Sequence, residues 1–352
     1  MKIGYVHNGY PEKRNILNSG VKQVTLCKSF DFYKISDFLK FKLLKKHDNF
    51  SHHSFNDKYS YPKVDLYHFF NVVNYGDKPW VSTFETILPR YTNQESRVEE
   101  GVKILASKNC KKLIALSEYN KTMQLSFLKK NYAHYYDRIK GKIKVLYPPQ
   151  EVVNEGDLSR FNSIEKLKIL FVGHDFFRKG GREVFNAIEK LNKSGANIEL
   201  TVVSKLTTDS WITYTNETDI NIWRAKLIEA SFCDYHVSLS NIEVVNLMKN
   251  SHIFMIPSFQ ETFGYVVLEA QSCGLPVVTT GIRAFPEINN NDCGWLIDVP
   301  QTEKGMVDVF LDSLNQYAQQ LKIRIILGPI ASKSKKTLYF SKKFSKNISY
   351  IQ

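Results

Sequence analysis

Two carboxylates, Glu261 and Glu269, stand eight positions apart in the stretch PSFQETFGYVVLEAQSCGLPVVTT, residues 257–280. The apolar run HIFMIPS reads as a strand, GYVVLEAQSCG as a helix closed by Gly274, and PVVTT as a second strand. Glu261 then lies in the loop at the first strand's carboxyl end, and Glu269 about a turn and a half into the helix. A carboxylate accepts hydrogen bonds from vicinal hydroxyls, so a pair at this spacing could hold two separate sugar rings. The backbone N–H groups of Thr262, Phe263 and Gly264, where the helix opens, could face a phosphate. On pattern alone a plainer account stands level with this one, with Glu269 on the helix surface and Glu261 as a capping acid.

A second chemistry-bearing loop is GHDFFRKGG, between the strand LKILFVG (Leu167 to Gly173) and a helix starting at Gly181. It offers two adjacent cations, Arg178 and Lys179, beside glycines that let backbone approach a ligand. A helix N-terminus adds free N–H donors and partial positive charge, and an arginine can bind phosphate through two parallel hydrogen bonds. The same residues would also make an ordinary solvated turn. Their place between a strand and a helix favours the phosphate site.

These loops need elements to hold them. In the second half, strands at Leu167, NIELTVVS, HIFMIPS and PVVTT alternate with helices at Gly181 (Val184, Ile188 and Leu191 on one face), Ser240 and Gly264. In the first half, MKIGYVH reads as a buried first strand rather than a signal peptide, followed by a loop to Gly20 and a helix from about Val21. VDLYHFF, PWVSTFE and KLIALS follow as strands, and Ser117 is positioned to cap a helix. Strand and helix alternate throughout, which implies α/β doubly wound sheets whose ligands sit beyond the strands' carboxyl ends. The seam falls at Pro148-Pro149, giving domains at 1–149 and 150–325 and a helical tail at 326–352.

The bulk composition narrows the class. At 352 residues, 43% hydrophobic and 13% aromatic, the chain can bury two cores. It has no apolar run long enough for a membrane span. Five scattered cysteines, without metal-ligand spacing, suit a reduced cytoplasmic compartment. The net charge of +13 fits solubilising lysines as well as an anionic partner. No nucleic-acid-binding module is recognisable.

Pro257, Ser258, Glu261, Phe263, Gly264, Glu269, Ala270, Gly274, Pro276 and Val277 resemble, at matching spacing, the E-x7-E signature of the retaining glycosyltransferases of family 4. FVGHDFFRKGG is similar to that family's diphosphate loop, and PEINNNDCGWLI to its usual sequel. The resemblance covers most of residues 165–300. It implies the GT-B fold, two Rossmann-like domains facing across a cleft. It implies that Glu261 contacts the donor sugar, Glu269 the ribose, and Arg178 and Lys179 the diphosphate, with backbone from Thr262 to Gly264 completing the cradle. Catalysis would then need no metal and no cofactor, only a nucleotide-diphosphate sugar, a UDP-sugar by preference. Many members carry arginine where this chain has His174, so Arg178 is expected to take that role.

The N-terminal domain of such enzymes mainly binds the acceptor, a glycan or a lipid-linked glycan of cell-surface polysaccharide synthesis. NSGVKQV places Gly20 like the family's first glycine loop, which approaches the donor. Glu85, after PWVSTF, stands where many members have histidine, and with His7 is a candidate for the cleft. FLKFKLLKKH (Phe38 to His47), with four lysines among apolar residues, suits an anionic membrane surface on the cytoplasmic face. The tail, with Phe340, Phe344, Ile348 and Ile351 at helical spacing, is expected to pack back on the N-terminal domain. Two other readings remain, a GT-B phosphorylase and a non-catalytic GT-B module that binds a glycan or partner.

Overall fold

The computed structural model describes residues 1–17, 24–44, 49–91, 94–153, 159–161, 165–210, 212–290 and 294–297. They form two compact units, one ending at Pro149 and the other beginning at Gln150. The expected tail and Gly20 lie outside the described residues.

The N-terminal unit is built on β1 (Lys2–Tyr5), β2 (Thr25–Lys28), β3 (Leu66–Phe70), β4 (Trp80–Phe84), β5 (Cys110–Ala115) and β6 (Ile143–Val145). Their order in the sheet is β2-β1-β3-β4-β5-β6, with every pair parallel. Parallel neighbours require crossovers. Helices α1 (Phe32–Leu44), α2 (Glu95–Ala106) and α3 (Glu118–Asn131) supply three of them. Ser117 caps α3 as its residue type suggests, its hydroxyl accepting from the Asn120 N–H at 3.1 Å. The core is aromatic, with Trp80, Phe84 and Phe69 sealed from solvent beside Leu113.

One expectation here is corrected. Val21 itself lies outside the described residues, but the helix expected to follow it is not found at Thr25–Lys28, which forms edge strand β2 in register with β1 (Ile3 opposite Leu26, Gly4 opposite Cys27); the next helix starts at Phe32. Pairing along the open edge of β1 outweighs the local helix propensity of so short a segment.

The C-terminal unit comprises β7 (Leu167–Asp175), β8 (Ile198–Lys205), β9 (Cys233–His236), β10 (Ile253–Ile256), β11 (Val277–Thr280) and β12 (Gly294–Ile297). They lie in the order β9-β8-β7-β10-β11-β12, all parallel. Helices α4 (Gly181–Lys193), α5 (Glu217–Glu229), α6 (Asn241–Asn250) and α7 (Tyr265–Ser272) link successive strands. Val184 and Ile188 of α4 are buried as their spacing predicts. Strand order reverses between β7 and β10, which are neighbours in the sheet (Ile253 opposite Ile169). The loops after these two strands therefore leave the sheet side by side, at the point where such folds bind ligands.

Candidate active site

The loop after β7 is held by its own apolar residues. Phe176 and Phe177 sink into the core, Phe176 lying 5.9 Å from the Phe171 ring and 5.7 Å from Trp223 between centroids. Burying a phenylalanine contributes about 1.5–3 kcal/mol, so the turn is anchored from below. Backbone bonds tighten it further: Lys179 N–H donates to Asp175 C=O at 2.9 Å, and Gly181 N–H to Phe176 C=O at 2.8 Å. At Gly180, φ is +80° and an added Cβ would stand 2.4 Å from the Pro257 carbonyl oxygen. Only glycine lets this turn press against the start of the β10 loop.

Arg178 and Lys179 leave this turn already paired. The Arg178 guanidinium donates from Nε to Asp175 Oδ2 at 3.1 Å and from Nη2 to the same oxygen, and Nη1 donates to Gln260 C=O at 3.1 Å. Phe259 N–H returns a bond to Arg178 C=O at 3.0 Å. The arginine thus ties the two loops together. Asp175 also accepts from Thr207 Oγ1 at 3.1 Å and lies within 3.1 Å of His174 Nδ1. Burial works against its ionisation, but the hydrogen bonds from Arg178 and His174 win and hold the carboxyl down at about 2. His174, at the position where many family members carry arginine, has a side chain 73% exposed and meets this network through Asp175.

Lys179 forms an ion pair with the Glu261 carboxylate, and both side chains are nearly buried. The other carboxylate oxygen of Glu261 accepts from Thr262 N–H at 3.1 Å, and its backbone carbonyl accepts from Arg283 Nη1 at 3.2 Å. Gly264 takes φ +94° at the entry to α7, where an added Cβ would meet the Phe285 ring at 2.5 Å. Phe263 is fully buried, so only its backbone can serve a ligand. Glu269 sits at the fifth position of α7, half-buried, and burial pushes its carboxyl up to about 7. It is therefore not the solvated helix-surface acid of the plainer account.

The structure thus joins Arg178, Lys179, Glu261 and Thr262 in one network at the switch point, with Gly264 and Glu269 on the helix that follows. Sequence reasoning missed Asp175, Gln260 and Arg283. The first was hidden because β7 runs on through Asp175 instead of ending at Gly173.

In the N-terminal unit, Glu85 follows β4 and accepts from Arg90 Nη1 at 2.9 Å and Asn71 Nδ2 at 3.3 Å, while Asn120 Nδ2 donates to its carbonyl. His7 follows β1, its ring stacked on His52 at 5.8 Å, and His52 contacts His53 at 4.8 Å. Burial, then the fields of His52 and Arg90, push His53 down to about 3, so it is a neutral imidazole. His7 and Glu85 are therefore ends of one polar network at the carboxyl ends of this sheet, through residues that no sequence signal singled out.

Two Rossmann-like units, each built on a sheet of parallel strands, with charged loops at a topological switch point, are the mark of the GT-B class of fold. Solved structures share it. A glycosyltransferase of Rickettsia africae superposes with a TM-score of 0.61 at 15% identity, over 99% of this chain and 96% of that one. Anabaena HepE, solved with UDP and glucose, gives 0.59 at 13%, over 99% and 90%. The family model described as Glycosyl transferases group 1 matches residues 158–324 of this chain. Curated relatives include a D-inositol 3-phosphate glycosyltransferase of Saccharomonospora viridis, 31% identical over 24% of this chain and 19% of that protein. The lipopolysaccharide glucosyltransferase WaaG of Escherichia coli K12 is 33% identical over 21% and 20%. The matched region spans about a fifth of the length of these relatives. Among the described residues, no helix is long and apolar enough to cross a membrane.

Proposed function

We propose that this chain is a retaining, metal-independent glycosyltransferase that moves a sugar from a nucleotide-diphosphate donor to a glycan or lipid-linked acceptor. The observation that carries this reading is the Lys179–Glu261 pair beside the clamped Arg178. A diphosphate entering here takes Lys179 from Glu261, and the released carboxylate accepts hydrogen bonds from the donor sugar's hydroxyls. Glu269, once ionised, accepts from the ribose hydroxyls. The C1–O bond to the β-phosphate then breaks while the acceptor oxygen bonds C1 on the same face. The acceptor's proton passes to the leaving phosphate oxygen. Lys179 and Arg178, fixed before the reaction, stabilise the charge that develops there.

A UDP-sugar is the favoured donor, in keeping with the UDP and glucose bound to the Anabaena neighbour. The likeness to WaaG supports a place in cell-surface polysaccharide synthesis. Peripheral binding to the inner face of the membrane is proposed for α1, which exposes Leu39 and Leu43 beside Lys40 and Lys42.

The test is thermal stabilisation by UDP, GDP, ADP and CMP without metal, on the wild type and on Lys179→Ala and Glu269→Ala. A ligand that binds only the folded chain must raise the melting temperature. Selective stabilisation by UDP, reduced in both variants, is expected. No stabilisation by any nucleotide at millimolar concentration would overturn the reading in favour of a non-catalytic module.

A further inference from the structure

The N-terminal unit contains a cavity of about 590 Å³ at the carboxyl end of β1, its walls including His7, Glu12, Lys34, Asp37, Phe38 and His52. Its electrostatics run against the chain's net charge of +13. Three carboxylates, Glu12, Asp31 and Asp37, are buried around two imidazoles. His7 lies 3.8 Å from Glu12 Oε1 and 3.7 Å from Asp31 Oδ2, and His52 lies 3.8 Å from Asp37 Oδ2. The lysine of the wall, Lys34, is exposed.

Glu12 is the distinctive member. It is only 7% exposed, yet among the described residues its carboxylate accepts no hydrogen bond, its contact with His7 being too long for one. Its Oε2 lies against Gly9, where an added Cβ would come within 2.8 Å, so the missing side chain at Gly9 makes room for it. A desolvated carboxylate is stabilised by hydrogen-bond donors, and most strongly by charged ones. Phe38 and Phe41, on the wall of the same cavity, offer ring faces that attract a cation and the apolar face of a sugar. A phosphate here would meet the like charges of Glu12 and Asp37 on the wall. Among the described residues, no group of three or more histidines, cysteines, aspartates and glutamates is arranged to hold a metal ion.

We infer that this cavity binds an amine-bearing polyol, an amino sugar with a free ammonium group, and that Glu12 anchors the ammonium. On the glycosyl-transfer reading above this sugar would be the acceptor; the choice of ligand does not rest on that reading. The test is titration of the full chain, with and without saturating UDP, with methyl glucosaminide, methyl N-acetylglucosaminide, methyl glucoside and glucose 6-phosphate, followed by ligand-observed NMR. The glucosaminide is expected to bind at least tenfold more tightly than the glucoside or its N-acetylated form, and glucose 6-phosphate not to bind. Glu12→Gln, checked for an unchanged melting temperature, should abolish the tenfold preference, and Gly9→Ala, which crowds the carboxylate, should weaken it. Equal binding of amine and acetamide, binding of the phosphate sugar, or a preference unchanged in Glu12→Gln would each overturn the inference. Failure of UDP to bind would overturn the donor reading alone, since the sugar titration decides the pocket without it.

Discussion

Glu269 carries the most quantitative consequence of this fold. Burial on α7 pushes its carboxyl up to about 7, against 4.5 for the ordinary side chain. Between those values the folded chain keeps a proton that the unfolded chain has lost, so raising the pH favours unfolding. The gap, 7 − 4.5 = 2.5 pH units, corresponds to about 3 kcal/mol at about 1.36 kcal/mol per unit. That contribution is whole below about pH 4.5 and lost as the pH rises through about 7. Glu269→Gln has nearly the same shape and cannot ionise. It should match the wild type at pH 4.5 and exceed it by about 3 kcal/mol at pH 8, a urea midpoint higher by about 1–1.5 M for a slope of about 2–3 kcal/mol per M. Urea unfolding of both proteins at pH 4.5, 6 and 8 reads the difference, and titrations common to both cancel. UDP affinity should move oppositely. The variant should bind less tightly than the wild type at pH 8, where Glu269 is ionised, and about equally at pH 5.5. A midpoint difference that does not change with pH would refute the burial argument, and a binding difference that does not change with pH would refute the ribose role.

Three further outcomes follow from the same network. Lys179→Met leaves Glu261 buried without its cation and should lose about 3–5 kcal/mol, of which Lys179→Met with Glu261→Gln recovers most; additive losses in this cycle would show that the two are not coupled. Asp175, held at about 2, contributes stability that is present above about pH 4 and lost as the pH falls toward 2. Asp175→Asn should therefore cost about 1–2 kcal/mol at pH 7 and nothing near pH 2, with UDP affinity reduced as Arg178 loses its clamp; acid titration of unfolding, wild type against variant, measures it. Gly180→Ala combines a left-handed backbone with a contact of 2.4 Å to the Pro257 carbonyl, and should lose at least about 2 kcal/mol in chemical denaturation; a change under 0.5 kcal/mol would mean that the turn relaxes freely.

What the sequence made legible was whatever depends on short-range pattern. The alternation of strand and helix, the Ser117 and Ser240 caps, and the placing of two loops at strand ends all follow from periodicity and residue type. Strand β2 did not, because four residues on a sheet edge take their state from β1 rather than from themselves. Nor did the pair Phe176-Phe177, which looks like loop and is core, since a loop's burial is decided by the helices that cover it. The larger gap is electrostatic. Sequence spacing presents Arg178 and Lys179 as two free cations, whereas the fold gives each a carboxylate, Asp175 three positions back and Glu261 from a loop 82 residues away. No local signal encodes the second partner; it exists because β7 and β10 are neighbours in the sheet. That pairing also gives the motif a physical logic. Under the proposed function, charge for a diphosphate would be stored beside the carboxylate that later faces the sugar, so one incoming donor would satisfy both partners of the broken pair. On this view the cation and the acid are two halves of a single exchange. A site with Lys179 intact and Glu261 neutral would hold nucleotide diphosphate while losing its grip on the sugar.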